Sequence, residues 1–398
     1  MSTVVVSGLG VTSSSGLDLE TFWANVASGR SGFTPARALP GSGVIAAEID
    51  EATDFSKLPI PVPAACDRNA LLAVAAAGQA LADAGLTPGS VAPERVAVIL
   101  GNGGGGLVSL DEQYHRLVLD NKRPHPFSVV RAMGSSSASW VSIAYGAQGP
   151  CFVVTSACAS ATHAIGVAAG LVRSGLVDVA ITGGTEAPLS NGTLKAWNSM
   201  KIMSRSGCRP FSRDRDGLVV GEGAGILVLE REEHARARGL VPQVAVAGFG
   251  SGADAGDIVA PTSEGMARAM RAALKDADLS ERDIAYINAH GTGTRANDLT
   301  EVQALRELYG TGAIPPLSST KGTTGHALGA AGGLEAVATV LAMRHSLAPP
   351  TAGLADPDPD LDIDAIPLVA RAMPIRAAMS NSFAFGGLNA SLILRHVT

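Results

Sequence analysis

Three side chains in this 398-residue sequence combine a nucleophile with two bases. Cys158 lies in VVTSACASATHAIG, after an apolar strand and at the start of an uncharged segment with helical character. A thiol at a helix N-terminus experiences the positive end of the macrodipole, which favours the thiolate. His290 follows an apolar strand in YINAHGTGTRAND, and His326 lies between a loop and a small-residue helix in SSTKGTTGHALGAAGGLE. A thiolate and two imidazoles together are suited to nucleophilic acyl transfer.

Cysteine and histidine can also bind metal, and glycines can bind phosphate. The spacing of these three residues contains no CxxC or HxxxH pair of the zinc type, so we expect no catalytic zinc. Cys66, Cys151 and Cys208 are predicted to be buried and unreactive. The run Gly101–Gly106 does not match GxxxxGK[ST] and fits GxGxxG poorly, because no acidic residue follows at the required distance. We expect it to pack closely beside a pocket, with a dinucleotide loop as the alternative.

The elements that must position these residues are short strands rich in valine and isoleucine, which alternate with helical patterns. This alternation predicts α/β layers. Asp67 is predicted to cap a helix that runs through Leu81 and ends at Gly85, and Asp298 with Glu301 has the form of a capping box. The predicted strands are Val4–Val6, Val96–Leu100, Phe152–Val154, Val179–Thr182, Ile226–Leu229, Val244–Ala247 and Leu392–Leu394.

An internal repeat in the sequence indicates that the chain arose by duplication. VVVSGLG at Val4–Gly10 is repeated as VAVAGFG at Val244–Gly250. We therefore predict two related halves, residues 1–240 with the nucleophile and 241–398 with both histidines, although two unrelated strand–glycine turns would look the same. Hydrophobic residues reach 46% while aromatic residues supply only 4%, so the apolar mass is aliphatic and suits tightly layered helices and sheets.

Composition excludes several classes of protein. The net charge of −6 and the scattered Lys and Arg residues give no reason to expect nucleic-acid binding. Four cysteines do not make a disulfide framework, and MSTVVVSGLG has no basic n-region, so we expect a cytoplasmic protein. The 41 residues Ala132–Val172 carry no charge but contain many serines, which predicts a buried helix rather than a membrane span.

Four ordered motifs carry a family resemblance. TSACAS around Cys158, NAHGTGT around His290, STKGTTGH around Lys321 and His326, and SNSFAFGG at Ser380–Gly387 resemble the β-ketoacyl-[acyl-carrier-protein] synthases. The resemblance runs the full chain. The Cys-His-His set is similar to the elongating, type II-like branch. The segments TLKAWNSMKIM and HPFSVVRAM are closer to nodulation-type and polyene-making synthases than to housekeeping fatty-acid enzymes.

The resemblance implies a thiolase fold, an α/β fold with two similar βα halves in five layers, usually a dimer. The family's reaction is a decarboxylative Claisen condensation in fatty-acid or polyketide chain elongation. It needs no cofactor of its own, because the substrates are carried on the phosphopantetheine of acyl carrier protein. The implied partners are acyl carrier protein and either a second copy or a related ketosynthase-like subunit.

The resemblance also implies roles for residues. Cys158 would hold the acyl chain as a thioester, and His290 and His326 would donate to the malonyl thioester oxygen. The backbone N–H groups of Cys158 and Phe385 would bind the acyl oxygen. Lys321 would set the electrostatics around His326. The supporting residues are Glu335 as an anchor, Thr292 and Thr294 for pantetheine, and Phe383 and Phe385 for the gate.

A structural cation and a gate are also implied. Asn288, Glu335, Ser380 and Asn381 match a cation site of some members, although they would also serve as a buried polar network. Ala384 and Leu388 stand where the family more often has Gly and Thr. Because Ala is less permissive in backbone angle than Gly, we expect a more restricted gate.

Two further sets of residues bear on the substrates. Gly104 and Ser128 stand where related enzymes often place bulkier side chains along the acyl tunnel, so we expect room for a long or rigid chain. Carrier proteins are acidic, and their docking should use basic side chains near the pocket mouth. Lys195, Lys201 and Arg205 in a predicted loop are the candidates, with an ordinary solvated loop as the alternative.

Two rival functions remain to be weighed. A thiolase acting on CoA thioesters usually carries a second cysteine near the C-terminus, and none follows Cys208 here. A non-catalytic partner that shapes chain length in a ketosynthase heterodimer would have lost the nucleophile, and Cys158 is present. An elongating ketosynthase is therefore the leading interpretation.

Overall fold

A ten-stranded mixed sheet dominates the fold of residues 2–397, which the computed structural model describes. Two further pairs of short strands lie outside it. The strands are β1 (Val4–Ser13), β2 (Thr34–Pro35), β3 (Ile45–Ala46), β4 (Val96–Gly101), β5 (Cys151–Val154), β6 (Val179–Glu186), β7 (Gly223–Arg231), β8 (Val244–Ala253), β9 (Tyr286–Asn288), β10 (Leu317–Ser318), β11 (Leu347–Ala348), β12 (Arg371–Ala372), β13 (Ala377–Ala384) and β14 (Leu388–His396).

Helices cover both faces of this sheet. Short 3₁₀ turns at Ala157–Ala159, Leu328–Ala330 and Phe385–Gly387 lie next to the candidate site. The α-helices are α1 (Leu19–Ser28), α2 (Arg68–Asp83), α3 (Leu107–Tyr114), α4 (Ser128–Ala132), α5 (Ser136–Tyr145), α6 (Ser160–Arg173), α7 (Asn191–Ser199), α8 (Glu232–Ala237), α9 (Ser263–Ala277), α10 (Arg295–Tyr309), α11 (Lys321–Thr324) and α12 (Ala331–His345).

The strand order repeats on either side of the sheet's centre. The order is β10-β9-β13-β14-β8-β1-β7-β6-β4-β5. Outward from β1 the pairings are antiparallel, antiparallel, parallel and parallel, and outward from β8 they follow the same series. A short antiparallel ladder, Val5 opposite Ala245, joins the two sides through the segments that echo each other in sequence. The division of the chain at residue 240 stays a prediction.

The contacts between helices and strands define the layers of the fold. Helix α2 packs on β1 and β7, and α9 packs on β8 and β14. Helices α6 and α12 contact each other and strands from both sides of the sheet, so they form the middle of five layers. Small residues allow this close packing. A Cβ on Gly225 of β7 would lie 2.3 Å from backbone atoms of Gly333 and Leu334 in α12.

Most predicted elements are present, and one helix start differs. All seven predicted strands occur within longer strands, and Asp67 caps α2 by accepting from the Asn69 N–H. The predicted capping box is wrong, because α10 begins at Arg295 with Thr294 as its N-cap. The carboxylates of Asp298 and Glu301 instead accept backbone N–H groups of neighbouring loops.

The uncharged stretch Ala132–Val172 forms α5, β5 and most of α6. Nine residues of α6 are buried, as the absence of charge predicted. Among residues 2–397, no helix is both long and apolar enough to cross a membrane.

Candidate active site

Cys158 lies on the tight turn between β5 and α6. Ala157 before it has φ of +50°, a left-handed conformation that turns the chain sharply and brings the thiol to the N-terminal end of α6. The Cys158 side chain is only 6% exposed. Burial raises its pKa to about 12, although the Lys321 charge opposes this rise. The resting group is therefore a thiol, and the thiolate expected from the helix terminus must form by transfer of a proton.

His326 is the group that faces this thiol. Its Nε2 lies 3.0 Å from Cys158 Sγ, and its backbone N–H donates to Val219 O at 2.7 Å. Burial, together with the charge of Lys321, holds the pKa of His326 well below its ordinary value. The imidazole is therefore neutral. Nδ1 has no hydrogen-bond partner among the described residues, so nothing ties the ring to one tautomer, and Nε2 can accept or donate a proton.

His290 is held from both sides. Its backbone N–H donates to Glu301 Oε1 at 2.8 Å, and its Nδ1 lies 3.2 Å from Lys321 Nζ. An ammonium group has three donors and no acceptor, so Nδ1 is the acceptor and Nε2 carries the proton. Burial and the charge of Lys321 hold the pKa of His290 well below its ordinary value. The ring is a neutral N–H donor.

Lys321 is fully buried and organises this region. Its ammonium donates to the His290 carbonyl oxygen at 2.5 Å and to the Glu335 carboxylate. Burial raises the pKa of Glu335, while Lys321 opposes that rise. The resemblance implied that Lys321 sets the electrostatics around His326, and its charge does help to lower the pKa of His326, while its hydrogen bonds go to His290. It acts on His326 only through its charge.

The structure brings Cys158, His290 and His326 together from both halves of the sheet. The two imidazole centroids are 5.4 Å apart, with their planes at 84°. One nitrogen or sulfur atom from each of the three residues lies within 4.8 Å of the others. A reacting group beside the sulfur is therefore within reach of both rings.

Two cavities meet at Cys158. The first, about 210 Å³, is lined by Thr292 and Thr294 and reaches the exposed residues Met200 and Val259. The second, about 200 Å³, runs past Gly104 to Leu107. We call them the entrance cavity and the inner cavity. Both are lined in part by Cys158, Trp197 and Phe385.

The predicted pocket residues divide between those at the cavities and one that is elsewhere. Thr292, Thr294 and Phe383 line the entrance cavity, and Gly104 lines the inner cavity. The hydroxyls of Thr292 and Thr294 are 2.9 Å apart. Ser128 begins α4 and lines neither of these two cavities, so its place along the acyl tunnel stays a prediction.

Aromatic rings line the path between the cavities. Trp197 stacks on Phe385 with centroids 6.1 Å apart, and Phe383 lies 6.1 Å from the His290 ring. Gly386 has a φ of +81°, which requires glycine, whereas Ala384 is extended at −115°, a conformation that any residue adopts. The alanine is therefore unstrained in this state.

The predicted cation residues supply three buried oxygens without hydrogen-bond partners among residues 2–397. They are Asn288 Oδ1, Glu335 Oε2 and Ser380 Oγ. Asn288 and Ser380 are paired in register on β9 and β13, and Asn288 Nδ2 donates to the backbone oxygen of Glu335 at 3.3 Å, so the three residues are neighbours. Oxygen donors of this kind fit a hard cation. Asn381 Oδ1 already accepts from Ser391, so only its second lone pair is available to a cation.

One of the three basic candidates lies next to residues of the entrance cavity, and all three are exposed. Lys201 is exposed between Met200 and Ile202, which both line that cavity. Arg205 is also exposed. Lys195 is exposed on α7, so the prediction that it lies in a loop is wrong.

The remaining cysteines differ in burial. Cys66 and Cys208 are buried as predicted, but Cys151 at the start of β5 is exposed, which corrects the prediction for it. Burial raises the pKa of both Cys66 and Cys208 to about 12. Neither thiol is activated.

Two buried glutamates were missed from the sequence. Glu301 accepts from the N–H groups of His290 and Gly291, and Glu186 accepts from three glycine N–H groups. Burial raises the pKa of each to about 7. Glu301 lies among apolar residues of the predicted helix, beside Val302 and Leu305. A charged residue at such a position indicates a buried carboxylate, and this was the signal that the sequence offered.

Comparison with family models identifies both halves of the chain. The model described as Beta-ketoacyl synthase, N-terminal domain matches residues 1–235, and the model for the C-terminal domain of the same family matches residues 243–355. Together the two matches include strands on both sides of the centre of the ten-stranded sheet.

Curated proteins match over nearly the full length. Nodulation protein E of Rhizobium sp. (strain N33) is 44% identical over 403 residues, covering 99% of each chain. The 3-oxoacyl-[acyl-carrier-protein] synthase 2 of Staphylococcus aureus (strain COL) is 38% identical over 405 residues, covering 98% of each chain.

Solved structures match equally completely. The ishigamide ketosynthase/chain length factor is 34% identical with a TM-score of 0.96, and all of both chains is covered. A type II polyketide synthase acyl-carrier protein in complex with its ketosynthase, AntDE:AntF, is 30% identical with a TM-score of 0.91, again over the whole of both chains. The five-layered architecture described above is therefore the thiolase fold of ketosynthases.

Proposed function

The chain belongs to the β-ketoacyl synthase family and is a 3-oxoacyl-[acyl-carrier-protein] synthase, and we propose that Cys158, His290 and His326 carry out its reaction. The observation that carries this assignment is the meeting of one thiol and two neutral imidazoles at the junction of two cavities. A nucleophile needs an adjacent base, and a developing oxyanion needs preorganised donors. This site offers both.

The first step loads the acyl chain. Nε2 of His326 accepts the Cys158 proton as the sulfur attacks the carbonyl carbon of an acyl thioester on carrier protein. The C–S bond to the pantetheine sulfur breaks, and the proton held by His326 passes to that leaving sulfur. Cys158 then carries the acyl chain as a thioester, and the chain lies in the inner cavity.

The second step uses a malonyl thioester in the entrance cavity. Its terminal C–C bond breaks and releases carbon dioxide, while the bonding pair moves toward the thioester oxygen. After loading, the proton of His326 moves from Nδ1 to Nε2, since no partner holds Nδ1. Nε2–H of His290 and Nε2–H of His326 then donate to this oxygen, and the Lys321 ammonium adds positive charge behind His290. The carbanion attacks the acyl carbon, and the Cys158 sulfur leaves as a thiolate, which takes up a proton from water to restore the thiol. The product is a 3-oxoacyl thioester two carbons longer.

The surroundings of the three residues support both steps. The backbone N–H groups of Cys158 and Phe385 bind the acyl oxygen, and Phe383 and Phe385 gate the path between the cavities. Thr292 and Thr294 bind the pantetheine arm in the entrance cavity. Glu335 anchors Lys321, and with Asn288 and Ser380 it would hold a hard cation that fixes the loops of the site. No redox or nucleotide cofactor takes part, since loss of carbon dioxide supplies the carbanion.

Acyl carrier protein is the proposed partner at the entrance. The supporting facts are the exposed Lys201, which lies between two residues of the entrance cavity, the exposed Arg205 four residues later, and the structural relative that was solved with its carrier protein. Reversal of both charges (Lys201→Glu with Arg205→Glu) should raise KM for carrier-protein substrates about tenfold and change turnover of small thioesters little. Equal losses on both kinds of substrate would contradict docking at this place.

A dimer through β5 is the proposed assembly. Strand β5 ends the sheet, so one of its edges is unpaired, and Phe152 on it is 41% exposed. Ile143 and Val167 on the adjoining helices are 54% and 37% exposed, and exposed apolar patches of this kind mark interfaces. The partner is a second copy or a related ketosynthase-like subunit, as in the ishigamide ketosynthase/chain length factor. The native mass of wild type and of Phe152→Asp tests this, and a monomeric wild type with full activity contradicts it.

We propose that this enzyme is cytoplasmic. We further propose that it acts in fatty-acid or polyketide chain elongation. The alternative, a non-catalytic partner that shapes chain length, gains no support from a site that keeps its thiol and both imidazoles.

Formation of 3-oxoacyl-carrier protein with release of carbon dioxide is the direct test of function. His290→Ala should lower turnover about 10²–10³-fold, the cost of losing one oxyanion donor. His345→Ala is the matched control, because that histidine is exposed at the far end of α12. Equal activity in both variants would exclude the proposed donor role.

A further inference from the structure

Glu186 is a buried carboxylate in the wall of the inner cavity. It is the last residue of β6, is fully buried, and lines that cavity together with Cys158 and Leu107. Its Oε2 accepts from Gly103 N–H at 2.5 Å and from Gly329 N–H at 3.1 Å, and its Oε1 accepts from Gly104 N–H at 3.2 Å. Charge-assisted hydrogen bonds to three backbone donors hold this side chain in one orientation.

These three donors come from two loops with different tasks. Gly103 and Gly104 begin the segment between β4 and α3, and they form the cavity wall. Gly329 lies three residues after His326, in the turn that leads into α12. One carboxylate therefore joins the wall of the inner cavity to the loop of a site histidine.

The two loops also touch each other directly. A Cβ on Gly329 would lie 2.2 Å from Gly103 N and 2.5 Å from Glu186 Oε2. A Cβ on Gly104 would lie 2.4 Å from the Leu107 side chain. Because close-packed atoms lie behind the wall at these points, a displacement of the wall away from the inner cavity is transmitted to its neighbours.

We propose that Glu186 is a positioning residue that couples the acyl chain in the inner cavity to the placement of His326. The proposal rests on the function proposed above, because it takes the inner cavity as the acyl site. A chain that fills the cavity presses on Gly103–Gly104, and the carboxylate carries that displacement to Gly329. Chain length thereby influences how well Nε2 of His326 reaches the reacting thioester.

Two substitutions of Glu186 remove different parts of its hydrogen bonding to the glycine N–H groups. Glu186→Gln keeps one oxygen, which can accept from Gly103 and Gly329 as Oε2 does, but its amide N–H₂ faces Gly104 N–H and cannot accept from it. Glu186→Asp keeps the charge and withdraws both oxygens by one methylene. Glu301→Gln is the contrasting variant, because Glu301 is equally buried but accepts from His290 and Gly291 and does not line the inner cavity.

The readout is a comparison of long and short acyl donors, with KM for malonyl-carrier protein measured alongside. We expect both Glu186 variants to change the long-to-short ratio of kcat/KM about fivefold or more, with the malonyl KM within about twofold of wild type. Glu301→Gln should lower turnover to the same extent for every chain length. Glu186 variants whose ratio stays within about twofold of wild type overturn the coupling. Failure of wild type to accept any acyl chain refutes the proposed function instead.

Wild-type protein supplies a second measurement if the Glu186 variants do not fold. Amide hydrogen exchange is compared after Cys158 has been acylated with a long or a short chain. The coupling predicts that exchange changes together in the segments around Gly103–Leu107 and around Gly329. A change confined to the first segment overturns it.

Discussion

Lys321 Nζ lies 3.2 Å from Nδ1 of His290 and donates to the carbonyl oxygen of the same residue. This pairing determines which nitrogen of His290 carries a proton, because an ammonium group can only donate. The Glu335 carboxylate accepts the remaining donor and balances the buried charge. The N–H that His290 turns toward substrate thus depends on a lysine that lies behind the ring.

Replacement of this lysine should affect stability and turnover separately. Lys321→Met leaves Glu335 as an unpaired buried carboxylate, which should lower the free energy of unfolding by about 3–5 kcal/mol. Turnover should fall about 10²–10³-fold as the His290 tautomer is released. Denaturant unfolding and product formation measure the two effects. The double variant Lys321→Met with Glu335→Gln should recover most of the stability and none of the turnover, and recovered turnover would count against this role.

A side chain at Gly104 should shorten the preferred acyl chain. Even a Cβ there would lie 2.4 Å from the Leu107 side chain, so isoleucine must displace Leu107 and fill the inner cavity. We expect Gly104→Ile to lower kcat/KM for long donors about tenfold or more while short donors change little. An unchanged length preference, measured with a series of acyl-carrier proteins, would refute the assignment of this cavity to the acyl chain.

The gate should respond to Ala384. Glycine at this position widens the accessible backbone angles next to Gly386 and Gly387. We expect Ala384→Gly to increase the population of the open state of the loop at Phe385, which its stacking on Trp197 makes visible as a change in tryptophan fluorescence. Identical populations of the open and closed states in wild type and Ala384→Gly would contradict the prediction that alanine restricts the gate.

Zinc should inhibit this enzyme. One sulfur and two imidazole nitrogens within 4.8 Å of one another can converge on a tetrahedral ion that binds thiolate and neutral imidazole. Binding must displace the Cys158 proton, so affinity should rise with pH. We expect inhibition at micromolar Zn²⁺ that a chelator reverses, and a thiolate charge-transfer band with Co²⁺ that Cys158→Ala lacks. Full activity at about 1 mM free Zn²⁺, a concentration that saturates any site of useful affinity, would contradict this.

The convergence of Cys158, His290 and His326 could be predicted because each lies in a local motif. Cys158 and His290 follow apolar strands, and His326 lies between a loop and a small-residue helix. The same holds for α2, where Asp67 caps the helix as its position indicated. Strand β13 was missed, since AAMSNSFA lacks the β-branched residues that typify strands. It is nevertheless fully buried between β9 and β14, so tertiary packing decides its conformation.

Local sequence patterns could not predict contacts between segments that are distant in the chain. The spacing of Asp298 and Glu301 suited a helix cap, but both carboxylates serve loops that only the folded chain brings near. Glu186 reaches Gly329 across 143 residues. Lys321 meets His290 rather than His326 because β9 and β10 are neighbours in the sheet, which no motif reveals. Cys151 was predicted to be buried and is exposed on β5, the edge strand of the sheet.

The most direct test of the central claim is the intact mass of the protein after incubation with a panel of acyl-carrier proteins. The account predicts a mass increase of one acyl group in wild type, no increase in Cys158→Ala, and an extended 3-oxoacyl product when malonyl-carrier protein follows. A folded wild-type protein that no acyl chain modifies, or a Cys158→Ala variant that is still acylated, would contradict it.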